Sequence, residues 1–330
     1  MYTVKKKKNS THVKRGFTEL VALLEKSDKE DLDNYRPISL LSILYKVFTP
    51  CLLARIRRTL EEAQPVEQAG FRRSFSTIDH IATCTRIIEA CREHQMPLIM
   101  TFIDYCKALD SVEHHTVWES LLEQGVERKY VDVLKDCYPN RTTKFRPFNR
   151  PIVGPIKKGV RQGDPISPNL FSAVLESVIR KCDWDDFGVN INRRMLNHLR
   201  FADIVLLTHT PQEAERMVRQ LEEVGKKVGL RLNAKKTKVM RNRFADPSAV
   251  RLGQTTHEVT DNYVYLGRLI NMTDDLKPEI IRRKGGAWSA HNTIKPAVSE
   301  IKNQKLRAEL FNSRHPGSVL RKRDVDMKEV

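Results

Sequence analysis

The sequence predicts an α+β fold built on an antiparallel sheet with helices on one face. Two observations predict it. Apolar residues make up 40% of 330, enough for a real core and against wholesale disorder. From Leu98 onward the hydrophobic pattern runs strand, helix, helix, strand pair, helix, strand, an order that suits the split βαβ arrangement.

The elements follow in order. "STIDHIATCTRIIEACREHQMP" places Ile78, Ile81, Ile88 and Cys91 near one helical face, with Pro97 ending the helix. "LIMTFIDY" reads as a buried strand over Leu98 to Ile103, with Asp104 just past its end. "DSVEHHTVWESLLEQG" reads as a helix that Asp110 and Glu113 open as a capping box and Gly125 stops. "GVRQGDPISPNLFSAVLESVIRKC" is a glycine-marked loop followed by a helix with Leu170, Val174, Leu175 and Val178 on one side; Asp164, before Pro165, reads as its cap. "HLRFADIVLLTHT" reads as strand, turn, strand. In "TPQEAERMVRQLEEVGKKVGLRLN", Thr210 caps a helix, Pro211 takes its first position and Glu213 closes a capping box. Its inward face is Ala214, Met217, Val218, Leu221, Val224 and Val228. "LRLNAKKTKVM" returns as strand or loop.

The formal net charge is +17, from 58 basic and 41 acidic residues, a surplus that favours a polyanionic partner, with nucleic acid first. The six cysteines, Cys51, Cys84, Cys91, Cys106, Cys137 and Cys182, include no CxxC pair, and no histidine pair completes a zinc site. The start has no apolar stretch of signal-peptide length, and no run of about 18 apolar residues follows. These features lead us to expect a reduced intracellular protein, nuclear or cytoplasmic, with no membrane partner. Lys5 to Lys8 fit a nuclear address or a phosphate-contacting arm, and fit a solvated, frayed terminus better.

Asp104 and Asp203 each sit at the end of an apolar, strand-like run, where a charge is costly unless paired or bound to metal. If the two strands are neighbours, the carboxylates converge at one sheet edge. Converging carboxylates suit magnesium, which takes oxygen ligands and shares its shell with substrate phosphates. Two such ions about 4 Å apart serve phosphoryl transfer.

Several motifs in order carry a family resemblance: "NYRPISLLSILYKVF", "EQAGFRRSFSTIDHI", "FIDYCKALDSV", "GVRQGDPISPNLF", "LRFADIVLL", "GLRLNAKKTKVM" and "YVYLG". Over residues 34–267 the chain resembles the reverse transcriptase domain of non-LTR, LINE-type retrotransposons. The resemblance implies a right-hand polymerase: a basic N-terminal arm (1–30), fingers (31–97), a palm (98–245) with a fingers-side insertion near 126–150, and a primer-grip region with a partial thumb (246–330). It implies RNA-templated DNA synthesis from a nicked-target primer, with deoxynucleoside triphosphates and two magnesium ions. By position, Asp104 and Asp203 would be the metal ligands. Gln162 and Gly163 would line the nucleotide and templating base, and Lys236 would lie near the pyrophosphate. Arg36, Lys46, Arg55 and Arg72 are basic fingers candidates for the triphosphate.

The chain departs from the family twice. The family reads aromatic–Ala–Asp–Asp where this chain has Phe201-Ala202-Asp203-Ile204, which removes one acidic residue. A one-residue change of register would also exchange the faces of Ile204, Val205, Leu206 and Leu207, though burial survives because all four are apolar. Leu109 stands where the family has an aromatic that packs under the sugar and excludes the 2′-hydroxyl. With no room for an upstream endonuclease domain, these features imply a truncated, impaired polymerase. The alternatives are a non-catalytic nucleic-acid-binding remnant or a pseudogene product.

Overall fold

The structure is a computed structural model that describes residues 18–24, 35–138, 142–145, 152–155, 158–191, 193–201, 203–252, 255–256, 259–301, 303–307 and 309. In chain order, β1 (Thr18–Leu24) and β2 (Tyr35–Leu40) lead into α1 (Ile43–Ala63) and α2 (Thr77–Glu93). Strand β3 (Ile99–Ile103) is followed by α3 (Ala108–Ser111), α4 (His114–Glu123), α5 (Arg128–Cys137), β4 (Thr142–Phe145), β5 (Ile152–Pro155) and α6 (Ser167–Arg180). Next come β6 (Val189–Ile191), β7 (Arg194–Leu196), β8 (His198–Arg200), β9 (Ile204–Thr208), α7 (Pro211–Lys227) and β10 (Lys238–Arg241). The pairs β11 (Arg251–Leu252)–β12 (Thr255–Thr256) and β13 (Asn262–Tyr265)–β14 (Arg268–Asn271) precede α8 (Lys277–Glu300). No helix among the described residues is long and apolar enough to cross a membrane.

The central sheet has the order β10-β3-β9-β8, and every pairing in it is antiparallel. Side chains alternate across a strand, so each of its apolar strands feeds two cores. Ile99, Ile103, Ile204, Leu206 and Val239 point into the core formed with α4, α5, α6 and α7. Met100, Phe102, Val205, Leu207 and Met240 point into a second core with Cys84, Ile87, Ile88 and Cys91 of α2 and with Tyr265 and Ile270. Helices therefore cover one face as the element order implies, and α2 with the β13–β14 hairpin closes the other. Ile204, Val205, Leu206 and Leu207 are all 0% exposed, because a strand buried on both faces accepts apolar residues at either parity.

Several local readings need correction. Ser76 and Asp79 form a capping box for α2, but Ile78 in its first turn is exposed; the buried stripe is Ile81, Cys84, Ile87, Ile88 and Cys91. The Asp110–Glu113 capping box does not form. The segment breaks into α3 and α4, and Glu113 takes the N-cap position of α4 without a side-chain hydrogen bond. The break is set by the 159–160 segment, whose Gly159 and Val160 amides donate to the Val112 and Leu109 carbonyls. Asp164 accepts from the Ile166 amide (3.3 Å) but is not the cap of α6, whose N-cap position is Ile166. In α7, Thr210 caps Glu213, while the Glu213 carboxylate returns to the amide of His209, one residue before the expected one.

A second sheet, β2-β1-β4-β5, joins the N-terminal strands to the insertion. Residues 18–24 of the expected basic arm thus form a strand, while Lys5 to Lys8 lie outside the described residues. Helix α5 lies within the 126–150 stretch and packs Val131 and Leu134 into the helix-side core, where its apolar stripe has a partner.

Candidate active site

Strands β3 and β9 pair with Ile103 opposite Ile204. One step further along this register brings Asp104, leaving β3, opposite Asp203, entering β9. Since Ile103 and Ile204 face the helix-side core, strand alternation turns both aspartates to the other face, where Tyr263 stacks on Phe102 with ring centroids 4.0 Å apart. Burial and then the nearby Asp104 charge push the Asp203 carboxyl up, and Lys236 opposes the shift. The Tyr263 hydroxyl is pushed up to about 12, by burial first and then by both carboxylates. A cleft of about 720 Å³ opens on the pair, lined also by Lys235, Lys236, Lys238 and the 259–264 segment.

The turn between β8 and β9 is braced from outside its own hairpin. The Arg200 amide donates to the Glu67 carbonyl (2.8 Å), and the Ala69 amide donates to the Arg200 carbonyl (2.9 Å). Gln68 Nε2 reaches the Phe201 carbonyl at 3.5 Å. Gly70 presses so close that a Cβ there would run into the Phe201 carbonyl. The Arg200 side chain, 0% exposed, donates through Nη2 to Glu176 Oε2 of α6 at 2.6 Å. Burial lowers its proton affinity and Glu176 raises it.

Asp104 is held by the turn that follows α7. The Asn233 amide donates to the Asp104 carbonyl (2.8 Å) and Asn233 Nδ2 to Asp104 Oδ2 (3.4 Å). Lys236 Nζ lies 3.2 Å from the same Oδ2. Lys236 therefore joins the carboxylate pair.

The other expected site residues fall into separate groups. Gln162 Nε2 donates to Asp110 Oδ2 at 2.9 Å, its carbonyl accepts from the Ser39 amide of β2 (2.9 Å), and Gly163 takes φ +98° beside the Ser39 carbonyl. Leu109 is half-buried against the helix-side core. Lys46 and Arg55 are exposed on α1. The Arg72 guanidinium is engaged within the fold, donating to the Pro65, Gln68 and Glu61 carbonyls and stacking over Phe75. Arg36 lies on β2 opposite Leu23, and its side chain is outside the described residues. The sequence reading missed Asn233, Tyr263, Glu176 and Arg200. The Asn-Ala-Lys-Lys stretch carries a turn signal that could have flagged Asn233, whereas nothing local couples Glu176 to Arg200.

Among the described residues no group of three or more His, Cys, Asp or Glu side chains could hold a metal ion. The pair nonetheless fits magnesium. That ion is commonly held by one or two protein carboxylates and completes its shell with water and substrate phosphates. No described residue donates a hydrogen bond to the Asp203 carboxylate; burial first and then the Asp104 charge raise its proton affinity, and a divalent cation would relieve the repulsion between the two carboxylates.

Residues 24–270 match the family model for reverse transcriptase (RNA-dependent DNA polymerase), well over half of the chain. This chain belongs to the reverse transcriptase family. A transposon-derived protein of Caenorhabditis elegans is 45% identical over 130 residues, 38% of this chain and 47% of that one. The Pol polyprotein of the R2 retrotransposable element of Popillia japonica is 29% identical over 209 residues, 59% of this chain and 28% of its own length. The chain thus spans less than half the length of these relatives. Among solved structures, apo telomerase of Candida tropicalis superposes with TM-score 0.55 at 11% identity, covering 82% of this chain and 50% of that one. That likeness establishes the polymerase fold of this reverse transcriptase domain, with its antiparallel sheet.

Proposed function

We propose that this reverse transcriptase domain extends a DNA primer along an RNA template with deoxynucleoside triphosphates, and that the lone aspartate of its catalytic turn impairs it. The observation that carries the reading is the Ile103–Ile204 register, which brings Asp104 and Asp203 to one sheet edge. These two carboxylates would hold magnesium, which when bound lowers the cost of ionising the primer hydroxyl and neutralises charge on the phosphates. Lys236, beside Asp104, supplies positive charge where phosphate oxygens would enter. The Gln162–Asp110 contact and the left-handed Gly163 shape the loop before α6, beside β2, against which a base and sugar would pack. Two ions would need more anionic ligands than this pair offers, so a second would depend on substrate phosphates.

The test is primer extension on an RNA template with magnesium by three proteins matched for folding by circular dichroism. The chain as it stands should extend little. Inserting one aspartate between Asp203 and Ile204 should raise extension by orders of magnitude, and Asp104→Asn in that background should abolish it. Full activity of the parent would refute the impairment, and inactivity of a folded repaired chain would refute the placement of the defect. A second reading, a binding remnant without turnover, draws on the same lone aspartate and on the +17 charge. It requires RNA–DNA hybrid binding whose log affinity falls steeply with log salt, by about 0.9 per phosphate contacted on duplex DNA.

A further inference from the structure

We propose that the turn from Asn233 to Lys236 controls cation entry to the carboxylate pair: Asn233 orients Asp104 for the cation, and Lys236 is a resident counter-charge that the cation must displace. This rests on the reading of Asp104 and Asp203 as a cation site.

The contacts on Asp104 are one-sided. Asn233 Nδ2 and Lys236 Nζ both fall on Oδ2, at 3.4 and 3.2 Å. No described residue donates to Oδ1 or to the Asp203 carboxylate, and both aspartates line the shared cleft. The two anchors also differ in mobility. Asn233 is fixed by its own amide on the Asp104 carbonyl (2.8 Å) and by the Thr237 and Lys236 amides on its carbonyl (2.8 and 3.1 Å). Lys236 is 53% exposed at the side chain and sits on a long flexible stem, so its ammonium can leave without disturbing the turn.

Charge favours the displacement. Lys236 is the ammonium in contact with the pair, and Lys235 and Lys238 also line the cleft. A divalent cation entering beside Lys236 meets this positive charge at contact distance, while one that displaces it takes over the carboxylates that it had neutralised. Repulsion between a divalent cation and an ammonium a few ångströms apart opposes binding, and solvent at the half-exposed lysine screens part of it. An orienting partner behind a metal ligand acts with the opposite sign, and losing one typically costs about 10–100-fold in metal affinity.

The experiment titrates the full chain with manganese(II), reading free ion by electron paramagnetic resonance, without nucleotide or nucleic acid. Lys236→Gln should bind manganese about tenfold more tightly than the parent, while Lys236→Arg should bind as the parent does. Asn233→Ala should bind about tenfold more weakly. A turn with only a structural role would make both neutral variants weaker. Lys236→Gln binding no tighter than the parent would overturn the counter-charge, and Asn233→Ala binding as well as the parent would overturn the orienting role. The lysine is on the surface, so its variants fold. Manganese binding to none of the four proteins would overturn the cation site itself and this inference with it, whereas binding without the expected order overturns the inference alone.

Discussion

Replacing Glu176 with glutamine should cost this protein about 3–5 kcal/mol of stability. The figure comes from the charge that the change leaves behind. Arg200 is 0% exposed and Glu176 is 4% exposed at their side chains, and Nη2 of Arg200 donates to the carboxylate at 2.6 Å. Among the described residues its Nε and Nη1 have no hydrogen-bond partner, and Glu176 is the one anion there that its guanidinium hydrogen-bonds. Without that charge the guanidinium stays buried with no hydrogen-bonded anion, and only the more distant Glu67 charge remains to offset it. The converse change is milder. Arg200→Met removes the buried cation, and Glu176 keeps Arg180, whose Nε lies 2.5 Å away on a side chain 52% exposed; about 1–3 kcal/mol is expected for the lost charged hydrogen bond. The two changes share one interaction, so the double variant should be more stable than the sum of the singles implies, by about 2 kcal/mol. Urea unfolding of the four proteins, compared at equal m values, measures this. A cost below about 1 kcal/mol for Glu176→Gln, or additivity within about 0.5 kcal/mol, would refute the pair as a buried strut.

Three further outcomes are expected. Burial and the Asp104 charge raise the Asp203 carboxyl; the folded state then holds a proton that the unfolded state has released, so stability falls as pH climbs through the window between the two values. Asp203→Asn should therefore stabilise the chain at neutral pH, with the gain shrinking as pH falls toward the ordinary carboxylate range; thermal melts across pH that show no gain at neutrality would refute it. Gly70→Ala drives a methyl into the Phe201 carbonyl and should cost about 2–4 kcal/mol by overpacking the turn, read by the same urea titration; a loss under about 0.5 kcal/mol would show that the turn yields. In the chain carrying the inserted aspartate, Leu109→Phe should sharpen selection of deoxyribonucleotides over ribonucleotides, and equal selectivity in single-nucleotide incorporation would show that Leu109 does not approach the sugar.

The sequence by itself determined the elements whose signals are local. The 3.6-residue stripe of α7, the Thr210 cap and the apolar runs of β3 and β9 all rest on neighbours in the chain, so the antiparallel sheet was legible. Asp104 and Asp203 were legible too, since each charge interrupts or ends an apolar strand where only a ligand or partner would justify it. Asp110 was misread because its capping signal was sound, but the 159–160 amides bond the Val112 and Leu109 carbonyls on either side of it, and its carboxylate accepts from Gln162. Only the tertiary structure decided which side chains meet across the sheet. Arg72 was one of four basic candidates for the triphosphate because charge shows in the sequence; what the sequence could not show is that three carbonyls of the 61–68 backbone accept from its guanidinium. Glu176 and Arg200 stand on separate elements, one within a helix buried nearly all round, so no periodicity marks them as a pair. Local sequence records the propensity and patterning of a segment; the pairing of charges between segments depends on register and packing, which exist only once the sheet has formed.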